Sequence, residues 1–176
     1  DDIGDRPSLD TLGPFRWSPS PATQWELTDG QGKQHTLADY TGRPVIFIFY
    51  LGKGCAHCIE QLGTFAPKTD LFRQAGIDLI AISTDDVDGL RETVQQNKTG
   101  TPFPFPLVSD ASLKVFKQYR VYDDFEQQPL HGTFLIDRQG LVRWQDISYE
   151  PFTEAEFLLR ESKRLLAQDP PQVTQR

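Results

Sequence analysis

The residues best suited to chemistry are Cys55 and Cys58, the chain's two cysteines, which form a CxxC motif. The motif follows an apolar, β-branched run and precedes residues that recur at helical spacing, so it falls in a turn between a strand and a helix. The amino end of a helix presents unpaired N–H groups and positive potential, which favour a thiolate over a thiol. We therefore predict that Cys55 is a nucleophile at neutral pH and that the pair does redox chemistry.

The alternative is that the two cysteines form a structural disulfide or are inert buried thiols. A disulfide between Cys55 and Cys58 closes a very short loop and stabilises a fold by only about 2 kcal/mol in the chain-entropy estimate. A purely structural disulfide would therefore contribute little here. A CxxC beside a βαβ pattern is typical of a redox motif. The context therefore favours the redox interpretation.

The residues around the motif are candidates for tuning it or binding its substrate. Lys53 and His57 add potential positive charge, Glu60 opposes it, and Gly54 belongs to the loop. His57 can protonate a leaving thiolate, and a solvated loop histidine is the alternative. We predict that Lys53, Gly54 and His57 are substrate-binding or tuning residues.

His131 is the third catalytic candidate, together with Cys55 and Cys58. It stands just before the predicted strand 133–136, whose start we expect to approach the CxxC end of the helix. A loop histidine with satisfied hydrogen bonds is the alternative.

A second polar motif is the acidic cluster Asp85, Asp86 and Asp88. Its spacing is not that of a calcium loop. We predict that it caps the following helix.

The elements that position the motif alternate between strand and helix and end in a hairpin and a last helix. The apolar run 45–50 predicts a central strand covered on both faces. Phe157, Leu158, Leu165 and Leu166 are expected to face the core from the last helix, and Trp144 and Tyr149 to pack in the core and its rim. This order predicts an α/β fold with a central mixed β-sheet flanked by helices. The remaining predicted elements are a hairpin at 25–27 and 35–37 at a sheet edge, a helix from 59 divided at Pro67, a strand at 77–83, a helix at 90–96, a strand at 107–108, a helix after Asp110, a hairpin at 133–136 and 141–144, and a helix at 153–166.

Composition limits the function classes. The 176 residues fit one domain, no apolar run reaches the roughly 20 residues of a membrane span, and a net charge of −7 disfavours nucleic acid as a partner. We divide the chain into a Pro-rich arm or linker at 1–24, a redox domain at 25–168 and a tail at 169–176. The absence of methionine and the Asp1 start predict a processed product or an excised segment, and the Pro-rich start predicts a larger, multidomain parent protein. The missing initiator, together with the family resemblance described next, favours an extracytoplasmic (periplasmic or secreted) over a cytoplasmic location.

Five ordered segments carry a family resemblance that runs from about residue 25 to 166: 37–45, 49–50, 80–85, 105–110 and 132–137. Together with the CxxC motif they resemble the redoxin group, which holds the AhpC/TSA peroxiredoxins and related thiol-disulfide oxidoreductases. The resemblance implies a thioredoxin-like fold.

Laid on the peroxiredoxin pattern of Pro, three residues, Thr, two residues and Cys, the chain places Cys58 at the peroxidatic position. Cys55 replaces the Thr, Leu51 replaces the Pro, and His131 replaces the Arg before the later strand. In that family the Thr and Arg orient and polarise the peroxide. A peroxidase would oxidise Cys58 to a sulfenic acid, which condenses with Cys55.

Laid on the thioredoxin pattern, the CxxC is intact and His131 occupies the position of the cis-proline. This resemblance implies our first hypothesis, in which Cys55 attacks a substrate disulfide, Cys58 resolves it, and a thiol partner supplies electrons. A third hypothesis is a copper or zinc module using the two cysteines with His131 or His57, although similar copper chaperones carry CxxxC. We predict no resident metal or cofactor.

Overall fold

In a computed structural model of the chain, residues 19–52, 54, 56–95 and 102–168 are described, without the side chains of residues 56, 58 and 95. The strands are β1 (Glu26–Asp29), β2 (Gln34–Thr36), β3 (Val45–Tyr50), β4 (Asp78–Ser83), β5 (Leu107–Ser109), β6 (Tyr122–Asp123), β7 (Gln128–Pro129), β8 (His131–Ile136) and β9 (Val142–Ser148). The helices are α1 (Ala56–Phe65), α2 (Thr69–Gln74), α3 (Val87–Gln95), α4 (Lys114–Gln118) and α5 (Ala155–Leu166).

Seven strands form one mixed sheet in the order β2-β1-β5-β4-β3-β8-β9. β3, β4 and β5 are parallel, whereas β8 pairs antiparallel with β3 and β9 with β8. The predicted hairpin at 25–37 is confirmed as β1 and β2, and β2 is an edge strand. The predicted mixed α/β sheet flanked by helices is confirmed.

The central strand β3 is completely buried, as its apolar sequence predicts. Val45, Phe47 and Phe49 join a core on one face, where Phe49 packs edge-on against Phe116 at a centroid distance of 5.0 Å. The alternate residues of β3 join a second core on the other face, beneath α1, α2 and α5. Alternation of side chains along a strand explains this division.

The helix that follows the CxxC motif is divided as predicted. α1 ends at Phe65, a 3₁₀ turn spans Ala66–Lys68 with Pro67 in it, and α2 begins at Thr69. Proline has no N–H for the helical hydrogen bond, so it separates the two helices.

The last helix, α5, differs from the prediction in the residues that it buries. Leu158 and Leu159 are buried, but Phe157 is 42% exposed, so the expectation that Phe157 faces the core is wrong. The buried positions of α5 are 155, 158, 159 and 162, a spacing of three and four residues that defines one helical face. Phe157 lies off that face, and Leu159 occupies the core position instead.

The predicted N-terminal arm has its last residues packed on the sheet. Ala22 N donates to Gly140 O at 2.8 Å, and Val142 N donates to Ser20 O at 2.8 Å. Residues 1–18 and the tail at 169–176 lie outside the described residues, so the domain boundaries stay predictions. Within the described ranges, no helix is long and apolar enough to cross a membrane.

Candidate functional site

The CxxC motif falls at the start of the first helix, which follows the central strand after a short loop, so the predicted junction of strand and helix is confirmed. β3 ends at Tyr50 and α1 begins at Ala56, which places Cys58 in the first turn of α1. Gly54 is exposed in the connecting turn. Lys53, Cys55 and the Cys58 side chain lie outside the described residues. Their proposed roles therefore stay predictions.

His131 is the first residue of β8, two residues earlier than the predicted strand start. Its side chain is buried, with the residue only 4% exposed, and its Nδ1 lies 2.9 Å from the carbonyl oxygen of Tyr149. A carbonyl oxygen only accepts hydrogen bonds, so Nδ1 is the donor. In the neutral ring, Nε2 is then the proton acceptor.

Burial lowers the pKa of His131 below its ordinary value. The hydrogen bond to Tyr149 and the charge of Glu150 oppose this shift, while the nearby His57 adds to it. At neutral pH the ring is uncharged, because burial disfavours the charged form. His131 therefore does not carry the permanent positive charge that the peroxiredoxin pattern predicts for an arginine at this position.

His57 is the sequence-predicted residue that the structure brings close enough to His131 for their charges to interact. It lies in the first turn of α1, and its Nδ1 is 3.5 Å from Glu60 Oε2. Both side chains are largely exposed, so the contact holds His57 only weakly. The structure therefore brings the ring of His57 near that of His131 at the start of α1.

The acidic cluster divides into three different roles. Asp86 Oδ1 accepts the Gly89 N–H at 2.8 Å, which confirms the predicted cap for this residue. Asp88 instead contacts Arg91 at 2.6 Å on the surface of α3. Asp85 turns toward the loop that leads to the CxxC motif.

Asp85 and Gly52 approach each other closely. Gly52 is buried with φ of +87°, and a β-carbon there would lie 2.4 Å from Asp85 Oδ1. Only glycine tolerates both this backbone conformation and this contact. Thr84 adds a second connection, because its Oγ1 donates to Leu51 O at 2.9 Å.

This support of the loop was missed by sequence reasoning. The segment 84–85 follows β4 and packs against residues 51–52, which follow the neighbouring strand β3. The carboxyl ends of parallel strands meet at one edge of a sheet. Applied to Gly52 after β3 and Asp85 after β4, this rule could have predicted their contact.

The two aromatic residues assigned to the core and its rim have different environments. Trp144 packs edge-on against Phe152 with ring centroids 5.1 Å apart. Tyr149 is 59% exposed, and its hydroxyl donates to the Asp123 carboxylate. Tyr149 therefore lies at the surface beside His131, and its packing role was mispredicted.

Within the described residues, no group of three or more His, Cys, Asp or Glu side chains is arranged to hold a metal ion. The cysteines of the copper or zinc hypothesis lie outside that search. The hypothesis thus has no structural observation in its favour.

Similar solved structures show the same fold. The peroxidoxin BcpB of Mycobacterium tuberculosis superposes with a TM-score of 0.72 at 22% identity, over 84% of this chain and 96% of that one. The AhpC of Enterococcus faecalis superposes with a TM-score of 0.76 at 18% identity, over 90% and 98% of the two chains. These similarities confirm the thioredoxin-like fold.

Sequence relatives are more closely similar. A putative chloroplastic peroxiredoxin Q of Oryza sativa subsp. indica is 32% identical over 126 residues, which are 71% of this chain and 56% of that protein. Human peroxiredoxin-4 is 31% identical over 130 residues, 70% of this chain and 48% of that protein. The chain thus spans about half the length of these relatives. The family model of the AhpC/TSA family matches residues 19–145, and the chain therefore belongs to the AhpC/TSA family.

Proposed function

We propose that the chain is a cysteine-dependent oxidoreductase that cycles between a Cys55 and Cys58 dithiol and their disulfide. The observation that supports it best is the place of the motif at the first turn of a ten-residue helix, shortly after the buried central strand. Unpaired N–H groups at such a turn favour thiolates. Membership in the AhpC/TSA family supports the same chemistry.

In the first form of the cycle the oxidant is a disulfide. The Cys55 thiolate attacks one sulfur of the substrate disulfide, forms a mixed disulfide and releases the first substrate thiolate. Cys58 then attacks the Cys55 sulfur, forms the Cys55–Cys58 disulfide and releases the second thiolate. Two electrons pass from the protein to the substrate. An external thiol partner regenerates the dithiol.

The state of His131 favours this form. A neutral imidazole with a proton on Nδ1 can accept a proton at Nε2, which suits a general base toward a thiol. It lacks the fixed positive charge with which an arginine stabilises a thiolate and a peroxide. Because a base assists thiolate formation in either reaction, only the missing positive charge distinguishes them, and it favours thiol–disulfide exchange over rapid peroxide reduction.

Peroxide reduction is a second candidate, because the relatives described above are named peroxiredoxins. The Cys58 thiolate attacks one peroxide oxygen, the O–O bond breaks, and the other oxygen leaves as water or an alcohol after taking a proton. Cys58 becomes a sulfenic acid, which condenses with the Cys55 thiol to give the disulfide and water. As in the exchange reaction, two electrons pass from the protein to the oxidant.

The test reacts the reduced protein with stoichiometric hydrogen peroxide and, separately, with a model disulfide. Mass spectrometry follows the Cys55–Cys58 disulfide, and stopped-flow tryptophan fluorescence follows its rate. Fast disulfide exchange that Cys55→Ser abolishes, with slow peroxide reaction, supports the first form. Fast peroxide reaction that leaves a sulfenic acid in Cys55→Ser and is absent in Cys58→Ser supports the second. If neither oxidant forms the disulfide, the proposed function is wrong.

A further inference from the structure

A small surface beside the site combines exposed aromatic side chains with negative charge. It consists of the tip of the β6–β7 hairpin, residues 123–126, together with Tyr149 and Glu150, and we call it the acidic hairpin surface. Phe125 at its tip is 90% exposed. A single exposed apolar residue needs no explanation, but its neighbours here hold it in a defined place.

The hairpin tip is held by hydrogen bonds. Asp123 Oδ1 accepts the N–H groups of Phe125 at 2.8 Å and Glu126 at 3.0 Å, which closes the turn. The other carboxylate oxygen accepts the Tyr149 hydroxyl. This hydrogen bond lowers the pKa of Asp123, so the residue stays ionised at neutral pH. Phe125 is therefore presented to solvent by an ordered turn.

Tyr149 and Glu150 connect the acidic hairpin surface to His131 and, through it, to the first turn of α1. The Tyr149 carbonyl accepts the hydrogen bond from His131 Nδ1, and the charges of Glu150 and His57 both act on that ring. His57 lies one residue before Cys58 in the first turn of α1. A molecule whose thiol reaches the CxxC motif therefore comes close to the acidic hairpin surface.

The charge of this region stands out from that of the chain. Residues 121–131 and 145–154 hold six Asp and Glu residues and no Lys or Arg, which accounts for most of the net charge of −7. A nearby cation is Lys117, whose Nζ lies 4.5 Å from the ring centroid of Tyr122 at the base of the hairpin. Asp124, Glu126 and Glu150 are exposed. A positively charged partner is attracted to such a surface and a negatively charged one is repelled.

We propose that the acidic hairpin surface docks the reductant of the Cys55–Cys58 disulfide, and that this reductant is a protein dithiol flanked by Lys or Arg residues. The proposal rests on the proposed function. One partner thiolate attacks a sulfur of the Cys55–Cys58 disulfide and releases the other cysteine as a thiolate. The second partner thiol then displaces the first, so the partner leaves as a disulfide and both cysteines are reduced. Phe125 supplies apolar contact, and the carboxylates select the charge.

The test uses two synthetic CxxC dithiol peptides that differ only in flanking Lys or Glu residues, with dithiothreitol as an uncharged reference. Each variant is oxidised, and its reduction rate by each peptide is divided by its own rate with dithiothreitol. At an ionic strength of about 10 mM we expect the Lys peptide to be at least about fivefold faster with the unmodified chain, and the ratio to fall toward one at about 0.5 M salt. We expect Phe125→Ser to slow both peptides relative to dithiothreitol.

A matched pair of variants separates this surface from the overall charge. Asp124→Asn/Glu126→Gln removes two charges from the surface, and Glu26→Gln/Asp88→Asn removes two elsewhere. We expect the first to lose most of the preference for the Lys peptide and the second to retain it. Equal rates with the two peptides, or equal effects of the two double variants, would overturn the docking proposal. If dithiothreitol itself regenerates no Cys55 and Cys58 thiols, the proposed function fails instead.

Discussion

The contact between Gly52 and Asp85 can be tested by adding one methyl group. Gly52→Ala places a β-carbon 2.4 Å from Asp85 Oδ1 in a backbone with φ of +87°. Gly32 offers a matched control, because its φ is +86° and a β-carbon there meets nothing within 4 Å. The two substitutions share the backbone cost and differ in the steric contact. The difference between their losses of stability therefore measures how tightly Asp85 packs against Gly52, in the loop before the CxxC motif.

The expected magnitudes follow from this geometry. A left-handed conformation costs an L-residue about 1–2 kcal/mol, and the lower entropy of the unfolded chain offsets about 0.4–1 kcal/mol of it. We therefore expect Gly32→Ala to lower the free energy of unfolding by about 1 kcal/mol. At Gly52, Asp85 must also move, which weakens its 3.3 Å hydrogen bond from Thr93. Overpacking of this kind adds about 1–3 kcal/mol, so Gly52→Ala should cost about 2–4 kcal/mol.

Urea denaturation of Gly52→Ala, Gly32→Ala, Asp85→Ala and the double variant Gly52→Ala/Asp85→Ala provides the assay. Truncating Asp85 removes the atoms that the new methyl group meets, so we expect the double variant to be at least about 1 kcal/mol more stable than additivity predicts. The rate of Cys55–Cys58 disulfide formation should fall more in Gly52→Ala than in Gly32→Ala. Equal losses of stability at the two glycines, or strict additivity with Asp85→Ala, would show that Asp85 does not pack tightly against Gly52.

Three further predictions concern the core and the histidine. Leu158→Ala should lower the free energy of unfolding by about 2–5 kcal/mol and Phe157→Ala by less than about 1, because only Leu158 is fully buried; urea denaturation that ranks Phe157 first would contradict the assignment of the α5 face. Arg143→Ala should lower the free energy of unfolding by about 3 kcal/mol in the same assay, because the substitution removes the charge partner 3.2 Å from the buried Asp137 carboxylate. A loss below about 1 kcal/mol would show that the ion pair is solvated. Because burial lowers the pKa of His131, the unfolded chain binds a proton at this residue more readily than the folded chain does. The free energy of unfolding should therefore fall as the pH drops below about 6.5. His131→Gln should make this dependence shallower between about pH 7 and 5.5, and an unchanged slope would be evidence against a buried neutral ring.

Much of the fold was predictable because local signals and tertiary packing agree. The continuous apolar run of β3 indicates a strand buried on both faces, and Pro67 divides the helix after it. Asp110 also caps the short helix α4, since its Oδ1 accepts the Lys114 N–H at 3.1 Å. These signals act over a few residues, so a sequence shows them directly.

The errors arose where several faces or distant segments decide the outcome. Phe157 is as apolar as its neighbours in α5, but the rotation of the helix on the sheet leaves it exposed. The β6–β7 hairpin has strands of two residues, too short for a periodic signal. Tyr149 stays at the surface because its hydroxyl bonds to that hairpin.

The CxxC motif, with the strand before it and the helix after it, could be predicted from residue types in short succession. The acidic excess could be predicted in the same way. Long-range packing sets three other features: His131 is buried with a lowered pKa, His57 lies near it, and Asp85 packs against Gly52. These pairs are separated by tens of residues in the chain. The parallel β3 and β4 and the antiparallel β8 bring them to one edge of the sheet, and that pairing depends on the whole core.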